Sequence, residues 1–192
     1  MPNYKELSSG ELQGLASQGD CESYYWLGMD YWGRGDYGNA VIWLEKTMNN
    51  PGNEWAAKAK NNLALAHEGG YHPNADKDEA IRLYGELDGY AMPKLHLGFL
   101  YYEGTPRNHD PARGKQLIET AVGQLKKQNN GSDEYLSQIE CFKIGGMYYQ
   151  ERMPANAIEY FEKAIKRSDS NYASDRKLIE MAKESISECR SM

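Results

Sequence analysis

The sequence predicts an all-α fold, a solenoid of about four helix-pair repeats with a capping helix at each end. Three observations predict it. A large apolar residue, a small residue and a ring three positions on occur together four times: Leu27-Gly28 with Tyr31, Leu63-Ala64 with His67, Leu97-Gly98 with Tyr101, and Ile144-Gly145 with Tyr148. A second small residue follows each cluster (Ala40, Ala80, Gly114, Ala157), with Leu44, Tyr84, Ile118 or Phe161 four positions later. Turn-forming residues separate the copies.

Each copy reads as two antiparallel helices. Positions three and four apart share a helix face, so Leu97 and Tyr101 form one stripe while Gly98 leaves room for a neighbour. A small residue on the second helix completes the close approach.

In chain order, Ser8-Ser9-Gly10-Glu11 reads as a capping box opening a short helix through Gln18. Unit one runs over 21–50 with its inner turn at Gly33-Arg34-Gly35-Asp36, Asp36 capping the second helix. Asn49-Asn50-Pro51-Gly52-Asn53 breaks the chain before unit two, 54–89, whose loop is Gly69-Gly70-Tyr71-His72-Pro73-Asn74 and whose second helix opens on a capping box of Asp76 and Glu79. Unit three, 91–128, opens its second helix at Asp110-Pro111, a cap followed by the helical position where proline costs least. Unit four covers 133–167. The step from Gly98 to Gly145 is 47 positions against 36 and 34 for the earlier steps, so lengthened helices are expected around Val122 to Tyr135, with Asn129-Asn130-Gly131-Ser132-Asp133 as the turn. A terminal helix over 172–190, with Ile179, Met181, Ala182 and Ile186 on its apolar side, would close the open end. All of this is expected to form one domain, 1–192.

The spacings carry a resemblance. From Gly28 to Ala40 and from Gly145 to Ala157 is 12 positions; from Ala64 to Ala80 and from Gly98 to Gly114 it is 16. The outer units resemble tetratricopeptide repeats, which recur at about 34 residues. The middle units resemble the longer-looped Sel-one-like repeat, most closely in Leu97-Gly98-Phe99-Leu100-Tyr101-Tyr102-Glu103-Gly104 and the downstream Asp110. Ala64, His67 and Gly114 depart from its pattern. The resemblance implies a right-handed α–α superhelix whose first helices line a concave face. Carried residue by residue, it places Tyr25, Met29 and Trp32 in the groove from unit one, and Asn61, Leu65 and Glu68 from unit two. Units three and four supply Leu95, Phe99 and Tyr102, then Phe142 and Tyr149. Of a carboxylate-binding clamp, Lys58 and Asn61 are only a fragment.

Composition narrows the function classes. With 22 basic and 28 acidic residues the formal charge is −6, and the basic residues form no stripe, which speaks against nucleic acid and anionic membranes as partners. The N-terminus shows no secretory pattern and no apolar run is long enough to span a bilayer. Three widely spaced cysteines, Cys21, Cys141 and Cys189, without a CxxC pair, argue for reduced thiols and a cytoplasmic setting. The four histidines show no metal-ligand spacing, and no nucleophile, phosphate-loop or dinucleotide motif is present, so no metal, cofactor or enzymatic activity is expected. With 15 Tyr and 4 Trp, the chain reads as a non-catalytic module holding a protein or peptide in its groove. As the resemblance implies, it would serve as a bacterial-type adaptor or regulator. The alternatives are an immunity protein masking a toxin, a structural homo-oligomer, and a hydrolase, for which a buried Glu and His within hydrogen-bond reach would be the mark. His67 beside Glu68 is the nearest such pair in sequence, yet neighbours on a helix diverge by about 100°.

Overall fold

The computed structural model describes residues 3–50, 53–104, 107–132, 134–169 and 171–192. Pro51, Gly52 and Asp133, which the sequence assigns to turns, lie outside them. Among the described residues there are ten α-helices and no strand: α1 (Ser9–Ser17), α2 (Cys21–Gly33), α3 (Tyr37–Met48), α4 (Ala56–Glu68), α5 (Lys77–Gly85), α6 (Ala91–Glu103), α7 (Pro111–Gln128), α8 (Gln138–Gln150), α9 (Pro154–Arg167) and α10 (Ala173–Ser191). From α1 to α7 and again from α8 to α10 each helix packs on the next, α2 on α3, α4 on α5, α6 on α7 and α8 on α9 forming hairpins, while α1 covers α2 and α10 covers α9. The last hairpin joins the one before it through α8, whose Cys141, Ile144 and Met147 share a buried cluster with Leu95 and Tyr102 of α6. This is the sequential helix-on-helix order of a helical solenoid.

The small residues do what their spacing predicts. A Cβ on Gly98 would lie 2.7 Å from Ile118 Cγ1 and 3.0 Å from the Gly114 carbonyl oxygen; one on Gly114 would lie 2.5 Å from Tyr102 N and 2.8 Å from the Gly98 carbonyl oxygen. Two backbones are therefore in contact where α6 crosses α7, which no larger residue permits. Gly145 admits the Phe161 ring and Gly28 the Leu44 side chain in the same way. Leu44, Tyr84, Ile118 and Phe161 are all fully enclosed.

Helix starts follow their caps. Ser8 and Glu11 form the expected capping box, and the side chains of Asp36 and Asp110 accept from the N–H groups of Asn39 and Arg113. Asp76 caps α5 alone: it accepts from Asp78 N–H, while Glu79 turns away to Arg82, so no reciprocal box forms there. The surplus before unit four lengthens only α7, to 18 residues against 12 in α3 and 9 in α5, and the following turn passes through left-handed Asn130 and Gly131. On α10 the buried stripe is Ala182, Ile186 and Cys189. Met181 lies exposed on the flank, because it is one position, about 100°, out of that i, i+4, i+7 register.

Candidate functional site

Two adjoining hollows run along the seam between α4 and α6. The first, about 340 Å³, is lined by Tyr25 of α2, Ala57, Lys58, Asn61 and Asn62 of α4, and Leu87, Tyr90, Met92 and Pro93 at the entry to α6. The second, about 330 Å³, is lined by Leu65 and Glu68 of α4, Tyr71, Lys77, then His96, Phe99, Leu100 and Glu103 of α6, and Ile139, Glu140 and Lys143 of α8. Large apolar side chains stand open to solvent at their edges: Tyr90 at 57%, Tyr71 at 48% and Ile139 at 55% exposure. Wider hollows lie elsewhere, about 710 Å³ beside Tyr24 and Trp43 and about 580 Å³ between the end of α7 and α9, and involve the second helices of the hairpins.

Of the eleven groove residues expected from the sequence, Tyr25, Asn61, Leu65, Glu68 and Phe99 line these hollows. The other six are engaged in packing. Leu95 and Tyr102, with most of the Phe99 ring, are buried in a cluster with Cys141, Ile144 and Met147 of α8. The stripe meant for a partner is covered by the first helix of the next unit. Met29 and Trp32 pack beside Leu63 of α4 in the same fashion, Trp32 edge-on to Tyr37 and Tyr71. Phe142 packs on Phe161, and the Tyr149 hydroxyl donates to Glu188 on α10. Tyr90, Tyr71 and Ile139, missed in the sequence, sit in turns or at a helix start where periodicity gives no face.

The floor of the second hollow is a charged bridge across three units. His96 of α6 donates from Nδ1 to Glu68 Oε2 at 2.9 Å and from Nε2 to Glu140 Oε1 at 3.3 Å. These side chains are only 17%, 15% and 11% exposed. Tyr84 donates to the same Glu68 oxygen at 2.8 Å, and its ring stacks on His96. Glu140 is held from the other side by the Ser137 N–H in the capping box of α8. Burial pushes the His96 imidazole down, but the flanking Glu140 and Glu68 outweigh it and raise it to about 9. Burial likewise pushes both carboxyls up, and hydrogen bonds to His96 bring each below its ordinary value.

A buried Glu and His within hydrogen-bond reach is thus present, with His96 in place of His67 as the partner of Glu68. As an imidazolium with both ring N–H groups donating, His96 keeps no lone pair for a general base. Ser137, which brings a hydroxyl to the hollow, already accepts from the Glu140 N–H. The arrangement ties α4, α6 and α8 together. Among the described residues no group of three or more His, Cys, Asp or Glu is placed to hold a metal ion. Nor is any helix among them long and apolar enough to cross a membrane. Cys141 is buried, its sulfur contacted by the Arg167 guanidinium, and all three cysteines are unbridged.

No curated protein and no solved structure matches this chain. The family model of the tetratricopeptide repeat matches two segments, residues 22–47 and 141–171. These correspond to the α2–α3 and α8–α9 hairpins, the two units whose small residues stand 12 apart. The chain therefore carries tetratricopeptide repeats in its first and last hairpins, with two longer-looped helix pairs stacked between them.

Proposed function

We propose that this chain is a non-catalytic binding module that holds a protein segment along the α4–α6 seam. Tetratricopeptide repeats generally mediate protein–protein interaction, which supports the class. The observation that carries the location is the coincidence of two hollows with three exposed large apolar side chains that line them, Tyr90 in the first and Tyr71 and Ile139 in the second. Such side chains over a partly apolar concavity are what interface anchors look like. The stacked helices beneath are already ordered, so binding costs little conformational entropy on this side.

Affinity capture from a lysate of the source organism, comparing the native chain with Tyr90→Ser/Ile139→Ser, tests this. Both substitutions are at exposed positions and leave the fold intact. A protein retained by the native chain and lost by the variant supports the seam; equal retention by both refutes it. The identity of the captured protein decides between an adaptor role and neutralisation of a toxin.

A further inference from the structure

The second hollow has one edge on a turn that is itself fastened by two histidines. After α4 ends, Gly70 in a left-handed conformation (φ +67°) turns the chain back, and the Tyr71 N–H donates to Ala66 O at 3.1 Å. This sets the Tyr71 ring stacked on Tyr37 at 4.9 Å and edge-on to Trp32 at 5.7 Å. The other end of the turn is fastened where the Asp76 N–H donates to His67 Nδ1 at 3.1 Å, so that nitrogen must keep its lone pair. His72 lies edge-on to His67, ring centres 4.7 Å apart, with its Nε2 buried and without a hydrogen-bond partner.

We propose that His67 and His72 form an acid-sensitive latch on the turn between α4 and α5. Neutral, they hold the turn closed with Tyr71 at the hollow; on taking up protons they release it and withdraw Tyr71 from the seam. A proton on His67 Nδ1 converts the acceptor of the Asp76 N–H into a second donor facing it. Charge on His72 would sit on a ring with a buried nitrogen that finds no acceptor. Charging both places two cations in contact.

The charged groups facing the pair are Glu45 of α3 toward His72, and Glu79 of α5 with the Asp76 cap toward His67. Glu79 has both oxygens engaged by Arg82, which limits what it can offer a protonated imidazole. Burial first, then His67, holds the His72 imidazole below its ordinary value, against the opposing effect of Glu45. A histidine lowered in the closed state favours closure above its ordinary pKa, and that preference is lost as pH falls below about 6.5. The effect on partner binding rests on the proposed seam; the latch itself does not.

The test needs no partner. Amide hydrogen exchange and imidazole NMR titration are followed together between pH 7.5 and 5.5, on the native chain and on His67→Asn/His72→Phe. The asparagine would supply an oxygen where Nδ1 stood, and the phenylalanine would keep the edge-on ring contact. We expect the protection factors of the Tyr71 and Asp76 amides to fall on the order of tenfold per pH unit in the native chain. The midpoint should match the titration of the histidines, α6 should stay protected, and the variant should not respond. Unchanged protection in the native chain overturns the latch, as does the same fall in the variant, which would assign the change to carboxylates. Should the variant fail to fold, a native midpoint that misses both imidazole titrations overturns it equally. Loss of the latch with retained capture by the seam, or the reverse, separates the two proposals.

Discussion

Replacing His96 by Leu removes the cation that stands between two enclosed carboxylates, and the structure sets the size of the loss. An imidazole raised from 6.5 to about 9 is stabilised by roughly 2.5 pH units, or about 3 kcal/mol at 1.36 kcal/mol per unit. Removing one partner of a buried ion pair costs about 3–5 kcal/mol by general experience, so the two routes agree. His96→Leu should therefore lose about 3 kcal/mol in denaturant unfolding followed by circular dichroism at pH 7.

The sign with pH follows from the direction of the shift. Because the folded value lies above the unfolded one, the contribution is complete below about pH 6.5 and disappears as pH rises through about 9. The difference between native chain and variant should thus collapse at pH 10. On the acid side the lowered Glu68 and Glu140 contribute above their ordinary values, and that part is lost as pH falls through the lowered ones. Adding Glu68→Gln and Glu140→Gln to His96→Leu should recover much of the loss at pH 7, since neutral amides need no counter-charge and the amide oxygen at position 68 can still accept from Tyr84. A native–variant difference under about 1 kcal/mol at pH 7, or one unchanged at pH 10, would refute the bridge.

Two glycine substitutions should move stability in opposite directions in the same unfolding assay. Gly114→Ala drives a methyl into the Tyr102 and Gly98 backbones and should cost more than about 3 kcal/mol, because backbone has little room to yield. Gly123→Ala, mid-helix in α7 with open space around it, should gain about 0.5–1 kcal/mol. Arg82→Ala removes contacts to both Glu79 and Glu86, yet should cost under about 0.5 kcal/mol, since the side chain is half exposed and such pairs are screened.

The helix pairs were legible because their grammar is local. Gly98 and Gly114 announce a backbone crossing before any coordinates exist, and Asp36 or Asp110 announces a helix start, since each signal lies within one or two turns of what it controls. The groove was half legible for a geometric reason. The stripe that faces a partner and the stripe that faces the next unit differ by one helical position, and α6 is apolar almost all round: Leu95, Leu97, Phe99, Leu100 and Tyr102 are all buried. Amphipathicity cannot point outward on a helix flanked by α5, α7 and α8. The Glu68–His96–Glu140 bridge lay further out of reach. Its members stand 28 and 44 positions apart, and a lone histidine on an apolar helix reads as packing until its two neighbours are brought to either side of it. What selects among the many possible Glu–His pairs is the stacking register of one unit on the next. That register is set where the first helix of one unit meets the first helix of the next, as Leu95 and Tyr102 of α6 meet Cys141, Ile144 and Met147 of α8, whereas the glycine crossings that made the fold readable act within a hairpin. The charges that meet at the floor of the hollow are chosen by contacts between residues far apart in the chain.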